Sequence, residues 1–431
     1  MPEAKPILVF DATVLSAGNK KSENRSGIFW VTFNLFKHFL QQDLLEIQLY
    51  CQPHRYLEVK YFLKKYFPGR RFVFVNQKEM KLFTMGYSGF NAVKQWPEIQ
   101  KSKWCKTLCT FGKQTCQWGK YLESPLTEWG SALQQVSYFF SPAHSVYMEF
   151  AQQSHIITAQ MLYDVIPLKY PQFYPPQIHT WFFRRLSKIN EKTFYFTDSE
   201  SCRQDFLKIA PQVPPQHITT AYISTNQLYQ PQTDPARVAQ VKAKYHIPAD
   251  KSYVFSLCAM YPHKNIPFAI DGFIRFCQQY NVHDQLLVLG GSSTDKRLDK
   301  YKNSPYVKFI GYVDDEDLQT LYSAADTFVY PSLYEGFGMP ILEAMSCGCP
   351  VICSNTSSMP EVIGDCGILI DPTNEQDLIN ALHKMHTDAA FHQICREKGL
   401  ARAKQFSWKK CVDTILSKLQ QERASLRPTN G

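Results

Sequence analysis

Short apolar runs alternate with amphipathic stretches along most of the chain. The runs are continuous in β-branched and aromatic residues, which is typical of parallel strands covered on both faces. In the first half they fall at 7–15, 46–51, 71–76, 136–140, 155–165, 193–199 and 217–224. In the second half they fall at 252–260, 285–291, 306–313, 327–332, 350–355 and 367–371. Because helical stretches separate the runs, the pattern predicts an α/β fold with two doubly wound parallel sheets.

Two further patterns indicate where the domains end. The polar segment 224–235 contains two prolines and has no helical period, which is typical of an interdomain linker. Apolar residues recur at helical spacing from about residue 407 to 422, and Ser407 is the predicted N-cap of this last helix. We predict Rossmann-like domains over 1–226 and 227–405, followed by a C-terminal segment over 406–431.

Length, charge and cysteine content narrow the class of protein. The 431 residues are too many for one ordinary core, in agreement with two domains. A net charge of +9 is modest for this length, and we expect no nucleic-acid partner. The 13 cysteines form no CxxC pair, which favours reduced, buried thiols over a metal site. We see neither a signal peptide nor a membrane-spanning run, and expect a cytoplasmic protein.

Residues 101–120 depart from the pattern, with five lysines and no acidic residue. A helix here would gather Trp104, Leu108, Phe111 and Trp118 on one side, with lysines around them. Such a helix is typical of contact with anionic lipid headgroups, and predicts a peripheral site at the inner face of the membrane. The alternative is a solvated helix or loop with one core-facing stripe.

The segment 330–350 has the pattern of a strand, a glycine turn and a helix. Gly336 and Gly338 allow backbone N–H groups to approach a ligand closely. Pro340 suits the first turn of the helix, and the N-terminus of that helix carries partial positive charge suited to phosphate.

Two carboxylates, Glu335 and Glu343, flank this turn with seven residues between them. A carboxylate accepts hydrogen bonds from sugar hydroxyls, so the pair could hold the two carbohydrate parts of a nucleotide sugar. On spacing alone, it is equally possible that Glu335 is an ordinary turn residue and that Glu343 is an ordinary acidic residue at the start of a helix.

The longer pattern Glu335-Gly-Phe-Gly-x-Pro-x-x-Glu343-Ala-Met-x-x-Gly-x-Pro-Val resembles the E-x7-E signature of retaining GT-B glycosyltransferases. The similarity is to the family-4 branch, the group 1 glycosyltransferases, and covers most of the chain. The resemblance implies two Rossmann-like domains that face a cleft, with the acceptor on the N-terminal side and the nucleotide sugar on the C-terminal side. It also implies that the last helix crosses back to the N-terminal domain.

The same resemblance implies roles for residues around the turn. Glu335 would be catalytic and lie beside the donor sugar. The backbone of Phe337 and Gly338 would contact the sugar or its phosphate, Glu343 would bind the ribose hydroxyls, and the backbone near Val313 would bind the nucleobase.

Residues 256–265, SLCAMYPHKN, resemble the family's Pro-Arg-Lys-Asn turn. The resemblance implies that Lys264 is catalytic and holds the diphosphate. His263 stands at the arginine position and Cys258 at a second one, so that a fixed positive charge is either missing here or dependent on pH.

The first half contains two further matches. Arg25-Ser26-Gly27-Ile28 resembles a glycine loop in which Gly27 approaches the diphosphate. Residues 161–171, MLYDVIPLKYP, resemble a cleft segment in which Asp164 is kept as a catalytic residue. Tyr163 stands where the family has a histidine that orients the donor sugar; His144 could replace that histidine, or be only a loop residue.

The function implied is transfer of a hexose, mannose or a related sugar, from a nucleotide diphosphate sugar to a saccharide or lipid-linked saccharide. The setting would be synthesis of a bacterial-type surface polysaccharide, without a metal or other cofactor. The donor is GDP-mannose or a UDP-sugar. A non-catalytic partner subunit and a two-domain solute-binding protein are the alternatives.

Overall fold

The computed structural model describes residues 5–19, 27–76, 133–257, 261–291 and 296–426. Chain contacts divide the protein into a first unit, residues 1–160 with 421–431, and a second unit, residues 161–420. The domain bounds expected from sequence differ from this division and stay a prediction. Cys258, Arg25, Ser26 and the segment 101–120 lie outside the described residues. In the ranges given above, no helix is both long and apolar enough to cross a bilayer.

The strands form two six-stranded sheets with the orders β2-β1-β3-β4-β5-β6 and β12-β11-β10-β7-β8-β9. They are β1 (Ile7–Asp11), β2 (Glu46–Tyr50), β3 (Val136–Ser141), β4 (Ile157–Leu162), β5 (Phe194–Thr197), β6 (Ile218–Thr220), β7 (Ser252–Leu257), β8 (Gln285–Gly290), β9 (Val307–Gly311), β10 (Thr327–Tyr330), β11 (Val351–Ser354) and β12 (Ile368–Ile370). The predicted α/β class with two parallel sheets is confirmed.

The run at 71–76 was expected to be a strand and forms only an isolated parallel bridge. Phe74 pairs with Leu49 at the outer edge of β2, through hydrogen bonds of the Leu49 N–H and C=O with Val73 and Val75. A segment that pairs at a single point of an edge strand does not continue the sheet.

Helices separate the strands. They are α1 (Gly27–Phe39), α2 (Tyr56–Tyr66), α3 (Met148–Ala151), α4 (Ile166–Lys169), α5 (Pro176–Leu186), α6 (Glu200–Ile209), α7 (Pro235–Lys244), α8 (Ile266–Tyr280), α9 (Asp315–Ala324), α10 (Met339–Ser346), α11 (Met359–Ile363), α12 (Glu375–Thr387), α13 (Ala389–Ala403) and α14 (Trp408–Leu426). The cap predicted for α14 is present, because the Ser407 hydroxyl accepts a hydrogen bond of 3.2 Å from the Lys410 N–H.

The first strand of each sheet to occur in the chain, β1 or β7, has a neighbour on both sides. In the first sheet, Val9 of β1 lies opposite Gln48 of β2 and Phe139 of β3. In the second, β7 lies between β8 and β10. The chain leaves each of these two strands towards one side and later returns on the other side. Loops after the carboxyl ends of such strands diverge, and ligands of open α/β sheets bind in the crevice that this leaves.

The second unit buries its own apolar core between its helices and the second sheet. Phe273 and Phe276 of α8 pack with Leu287 and Leu289 of β8 and with Leu378 of α12. α14 also contacts this unit, since the indole N–H of its first residue donates to the Thr225 carbonyl at 2.8 Å. The loops that follow the strands of the second sheet therefore extend from a well-packed core.

Candidate active site

The turn between β10 and α10 carries the first predicted carboxylate, Glu335. β10 ends at Tyr330 and α10 begins at Met339, directly after Gly338. Gly338 has a φ of 92°, a conformation that side chains with a Cβ rarely adopt. Pro340 in the first turn of α10 has no N–H, and the Ile341 N–H donates to the Gly338 carbonyl at 3.0 Å. The Met339 N–H lies at the turn, where the helix dipole is positive.

Hydroxyl side chains from the loop after β11 hold this turn in place. The Glu335 N–H donates to the Ser357 hydroxyl at 2.9 Å, and the Ser358 hydroxyl donates to the Glu335 carbonyl at 3.1 Å. The Thr356 hydroxyl donates to the Leu333 carbonyl at 3.0 Å. The backbone of the turn is thus fixed by side chains about twenty residues further along the chain.

Lys264 and Glu335 form a buried ion pair. The Lys264 Nζ lies 2.7 Å from Oε1 of Glu335 and 2.6 Å from the Tyr330 hydroxyl. The Tyr330 hydroxyl in turn donates to the same carboxylate oxygen at 2.9 Å. The two side chains are only 17% and 9% exposed. The segments around 264 and 335, which were expected to meet at one diphosphate, therefore do lie together, after neighbouring strands β7 and β10.

The ion pair decides the ionisation of Glu335. Burial by itself raises the pKa of this carboxyl, but the charge of Lys264 and its hydrogen bond outweigh burial, so that the pKa lies below its ordinary value. Glu335 is therefore a carboxylate at neutral pH, able to accept hydrogen bonds from a sugar and to stabilise a positive charge.

The predicted segment around Asp164 packs directly against the same turn. A Cβ on Gly336 would lie 2.7 Å from the Tyr163 carbonyl oxygen and 3.2 Å from the Asp164 Cβ. The Ser199 hydroxyl donates to the Gly336 carbonyl at 2.5 Å, and the Cys202 thiol donates to it at 3.3 Å. Only glycine allows this close approach of two backbone segments.

Asp164 and Tyr163 differ from Glu335 in their electrostatics. Burial and the nearby charge of Glu335 raise the pKa of Asp164, against the backbone N–H of Ile166, which donates to its Oδ1 at 3.0 Å. Burial and the charge of Asp198 raise the pKa of Tyr163 well above its ordinary value. The phenol is therefore neutral and can form hydrogen bonds, but cannot carry a charge as a histidine could.

His263 is buried and does not replace the family's arginine as a cation. Its carbonyl accepts hydrogen bonds from the Leu333 N–H at 2.7 Å and the Ser332 hydroxyl at 3.1 Å, and its ring Nδ1 lies 3.3 Å from the Tyr174 hydroxyl. Burial and the neighbouring Lys264 lower the pKa of the ring to about 4. The ring is neutral at pH 7, so that Lys264 supplies the positive charge of this segment.

Glu343, the second predicted carboxylate, lies in α10 and is also buried. It accepts a hydrogen bond from the Tyr322 hydroxyl at 3.1 Å. Burial raises its pKa to about 7, and Asp315 adds to this rise while the Tyr322 hydroxyl opposes it. Val313 and Phe255 both lie next to Gly290, each 3.1 Å from where a Cβ on that glycine would stand, and Phe255 packs edge-on against Tyr322. The residues predicted for ribose and nucleobase thus border one cluster.

The remaining predicted residues lie at two further places. Phe337 is buried against Phe406, with ring centroids 5.7 Å apart, so that its backbone rather than its ring is available to a ligand. Gly27 belongs to the first unit and opens α1; it is exposed, and a Cβ there would meet no described atom within 4 Å.

Several residues that shape the site were missed from the sequence. Tyr330 lies between Lys264 and Glu335, but in the sequence it has only the pattern of the last apolar residue of a strand. Ser357 and Ser358 hold the turn from another part of the chain. The hydroxyl-rich run directly after β11 was the one signal that could have indicated them.

Comparison with known proteins identifies the family. Residues 238–402 match the model of the glycosyl transferases group 1. The chain is 35% identical over 263 residues to O-antigen chain mannosyltransferase B of Escherichia coli, covering 59% of this chain and 68% of that protein. It is 28% identical over 265 residues to the serotype-specific mannosyltransferase WbdA of Escherichia coli, covering 58% of this chain but only 32% of that protein.

A solved structure agrees with the fold. Sucrose-phosphate synthase from Thermosynechococcus elongatus superimposes with a TM-score of 0.64 at 17% sequence identity, and the match covers 98% of this chain and 100% of that chain. At this identity the likeness shows the GT-B fold alone. The predicted hexosyltransferase class is confirmed by the family match and the sequence relatives. The chain belongs to the group 1 glycosyltransferases.

Proposed function

We propose that this protein transfers a mannosyl residue from GDP-mannose to a saccharide or lipid-linked saccharide, with retention of the anomeric configuration. The product would be a bacterial-type surface polysaccharide. The observation that carries the proposal is the buried Lys264–Glu335 ion pair at the carboxyl ends of β7 and β10. The similarity to O-antigen mannosyltransferases supports mannose as the sugar.

The donor would bind with its diphosphate on Lys264 and on the N–H group at the start of α10. The ammonium and the helix dipole both favour negative charge, so no metal ion is required. Glu343 would accept hydrogen bonds from the ribose, and the backbone near Val313 would bind the base. Gly27 would give the diphosphate room at the start of α1.

Transfer then requires cleavage of the bond between C1 of mannose and the β-phosphate oxygen. The electron pair of this bond goes to the leaving GDP, and Lys264 stabilises the growing charge there. Glu335 stabilises the positive charge that develops on the sugar, and Asp164 borders the same place. The acceptor hydroxyl attacks C1 from the face that GDP leaves, and its proton passes to the departing phosphate oxygen.

Product analysis with purified protein tests the reaction. We expect GDP-mannose, but not UDP-glucose, to give an α-linked product with α-mannobiose as the acceptor, by proton NMR of the anomeric signal. Glu335→Gln should lower turnover by about 100-fold or more, since it removes one preorganised charge. EDTA should leave the rate unchanged. A β-linked product, or equal turnover by Glu335→Gln, would contradict the mechanism.

The same experiment separates this proposal from a non-catalytic partner subunit. Tyr163 in place of a histidine motivates that alternative, and such a subunit would bind GDP-mannose without slow hydrolysis or transfer. Contact with the membrane through residues 101–120 stays a sequence-based proposal. Sedimentation with vesicles containing phosphatidylglycerol, before and after replacement of Lys103, Lys106 and Lys113 by glutamine, tests it.

A further inference from the structure

Asp11, in the first unit, is a buried carboxylate surrounded by hydrogen-bond donors. It is the last residue of β1 and is 0% exposed. Its Oδ1 accepts hydrogen bonds from the Thr13 N–H at 3.1 Å and the Thr13 hydroxyl at 2.6 Å. Its Oδ2 accepts from the Ser141 hydroxyl at 3.1 Å and the Tyr147 hydroxyl at 3.4 Å, and lies 3.0 Å from Nδ1 of His144.

The carboxylate orients the imidazole of His144. Burial raises the pKa of Asp11, but His144 and the Thr13 hydrogen bonds outweigh burial and lower it, so the carboxyl is ionised. Nδ1 therefore carries a proton and donates it to Asp11, which leaves Nε2 as the ring nitrogen that can contact a ligand. The His144 side chain is 33% exposed, and its Nε2 has no partner among the residues that the structure describes.

This pair occupies the same topological position as the Lys264–Glu335 pair. Asp11 ends β1, which lies between β2 and β3, and His144 follows β3 on the side to which the chain returns. In the second sheet, Lys264 follows β7 and Glu335 follows β10. Both pairs therefore stand where the loops of an open sheet diverge and ligands bind.

A turn-forming role explains only two of these five contacts. The bonds from Thr13 to Oδ1 form a local turn at the end of β1. The three groups on Oδ2 come from β3 and the loop after it, about 130 residues away, and one of them is the partly exposed His144, whose Nε2 contacts none of the described residues.

The surroundings favour a neutral, hydroxyl-bearing ligand. An ionised carboxylate repels phosphate, and the side chains of Thr13, Gln52, Ser141 and Tyr147 around it carry uncharged polar groups. The Gln52 side chain donates to the Tyr147 hydroxyl at 3.1 Å, and its backbone N–H donates to the Thr13 hydroxyl at 3.0 Å. Neutral amides, phenols and imidazoles are the groups that bind sugar hydroxyls with direction.

We propose that the first unit holds the acceptor saccharide through Nε2 of His144, which forms a hydrogen bond with an acceptor hydroxyl, with Asp11 as the positioning residue. The identity of the acceptor rests on the proposed function. None of the residues of this subsite is among those proposed for the donor.

Binding without donor tests the subsite independently of transfer. Saturation-transfer difference NMR with α-mannobiose should show binding to the wild type and at least about a tenfold weaker Kd for His144→Gln, which equals about 1.4 kcal/mol. His38→Gln is the matched control. His38 lies in the last turn of α1, where the helix returns to the amino ends of the strands, and its Nδ1 contacts the Asn34 carbonyl at 2.9 Å. The His38→Gln protein should bind α-mannobiose with the same Kd as the wild type.

Kinetics add a second readout. His144→Gln should raise KM for α-mannobiose at least about tenfold and leave KM for GDP-mannose unchanged. Asp11→Asn should weaken α-mannobiose binding in the same direction, because an amide no longer fixes the ring's tautomer. Equal mannobiose affinity of His144→Gln and wild type, or no binding by the wild type, would overturn the subsite. Absence of GDP-mannose turnover with intact, His144-dependent mannobiose binding would overturn only the proposed reaction.

Discussion

Replacement of Lys264 by methionine removes the ammonium and keeps an apolar stem of similar length. Glu335, 9% exposed, would then lose the charge that holds its pKa down. Breaking a buried ion pair by removing one partner costs about 3–5 kcal/mol, because the remaining charge is uncompensated. For a unit of this size, about 2 °C of Tm corresponds to 1 kcal/mol, and we expect a loss of about 6–10 °C at pH 7.5.

The pH dependence has a definite sign. In the folded wild type the pKa of Glu335 is lowered, so its stabilising contribution is present above the unfolded pKa of about 4.3 and is lost as the pH falls through the folded value. In Lys264→Met, burial raises the pKa instead. The difference in stability between the two proteins should therefore shrink between pH 7.5 and pH 4.

Thermal unfolding of four proteins tests this reasoning. The double variant Lys264→Met/Glu335→Gln should recover most of the loss, since neither charge is then buried alone. Lys409→Met is the control, because Lys409 pairs with Asp413 at 74% and 42% exposure. An exposed pair contributes only about 0–1 kcal/mol. Equal Tm losses for Lys264→Met and Lys409→Met, or no recovery in the double variant, would refute the buried-pair argument.

Three further substitutions follow from the structure. Gly336→Ala should destabilise the protein by about 1–3 kcal/mol in urea unfolding, because its Cβ would lie 2.7 Å from the Tyr163 carbonyl oxygen; unchanged stability would contradict that packing. Glu343→Gln should gain stability relative to the wild type as the pH rises from about 4.3 to 7, since the raised pKa of about 7 makes folding of the wild type less favourable over that window; parallel Tm profiles would exclude the shift. Gly27→Val should leave Tm nearly unchanged, because a Cβ there meets no described atom within 4 Å, and should raise KM for GDP-mannose at least about tenfold; an unchanged KM would remove Gly27 from the donor site.

Much of the fold could be predicted because its signals are local. Continuous apolar runs mark buried parallel strands, and the predicted runs contain the described strands, except that β3 continues one residue past its run, to Ser141. Pro340 marked the start of α10, and Ser407 marked that of α14, because caps depend on residues next to the helix end. The run at 71–76 failed since apolar composition cannot tell an edge bridge from a strand.

The candidate site was predictable only where one segment carried its residues. Glu335, Glu343 and the two glycines between them lie in one short segment of the sequence, and their spacing was enough to identify them as candidates. The charge states were not predictable. The sequence left open whether the positive charge at His263 is missing or dependent on pH, whereas burial and the adjacent ammonium lower the pKa of the ring to about 4.

The sequence by itself determined where the described strands lie, which turn carries glycines and which acids follow a strand, since these depend on neighbours along the chain. The tertiary structure decided which of those acids acquires a partner. Lys264 meets Glu335 across 71 positions of sequence, and His144 meets Asp11 across 133, because strands distant in the chain become neighbours in a sheet. Burial at those strand ends then makes each charge depend on its partner, which is a property of the assembled fold.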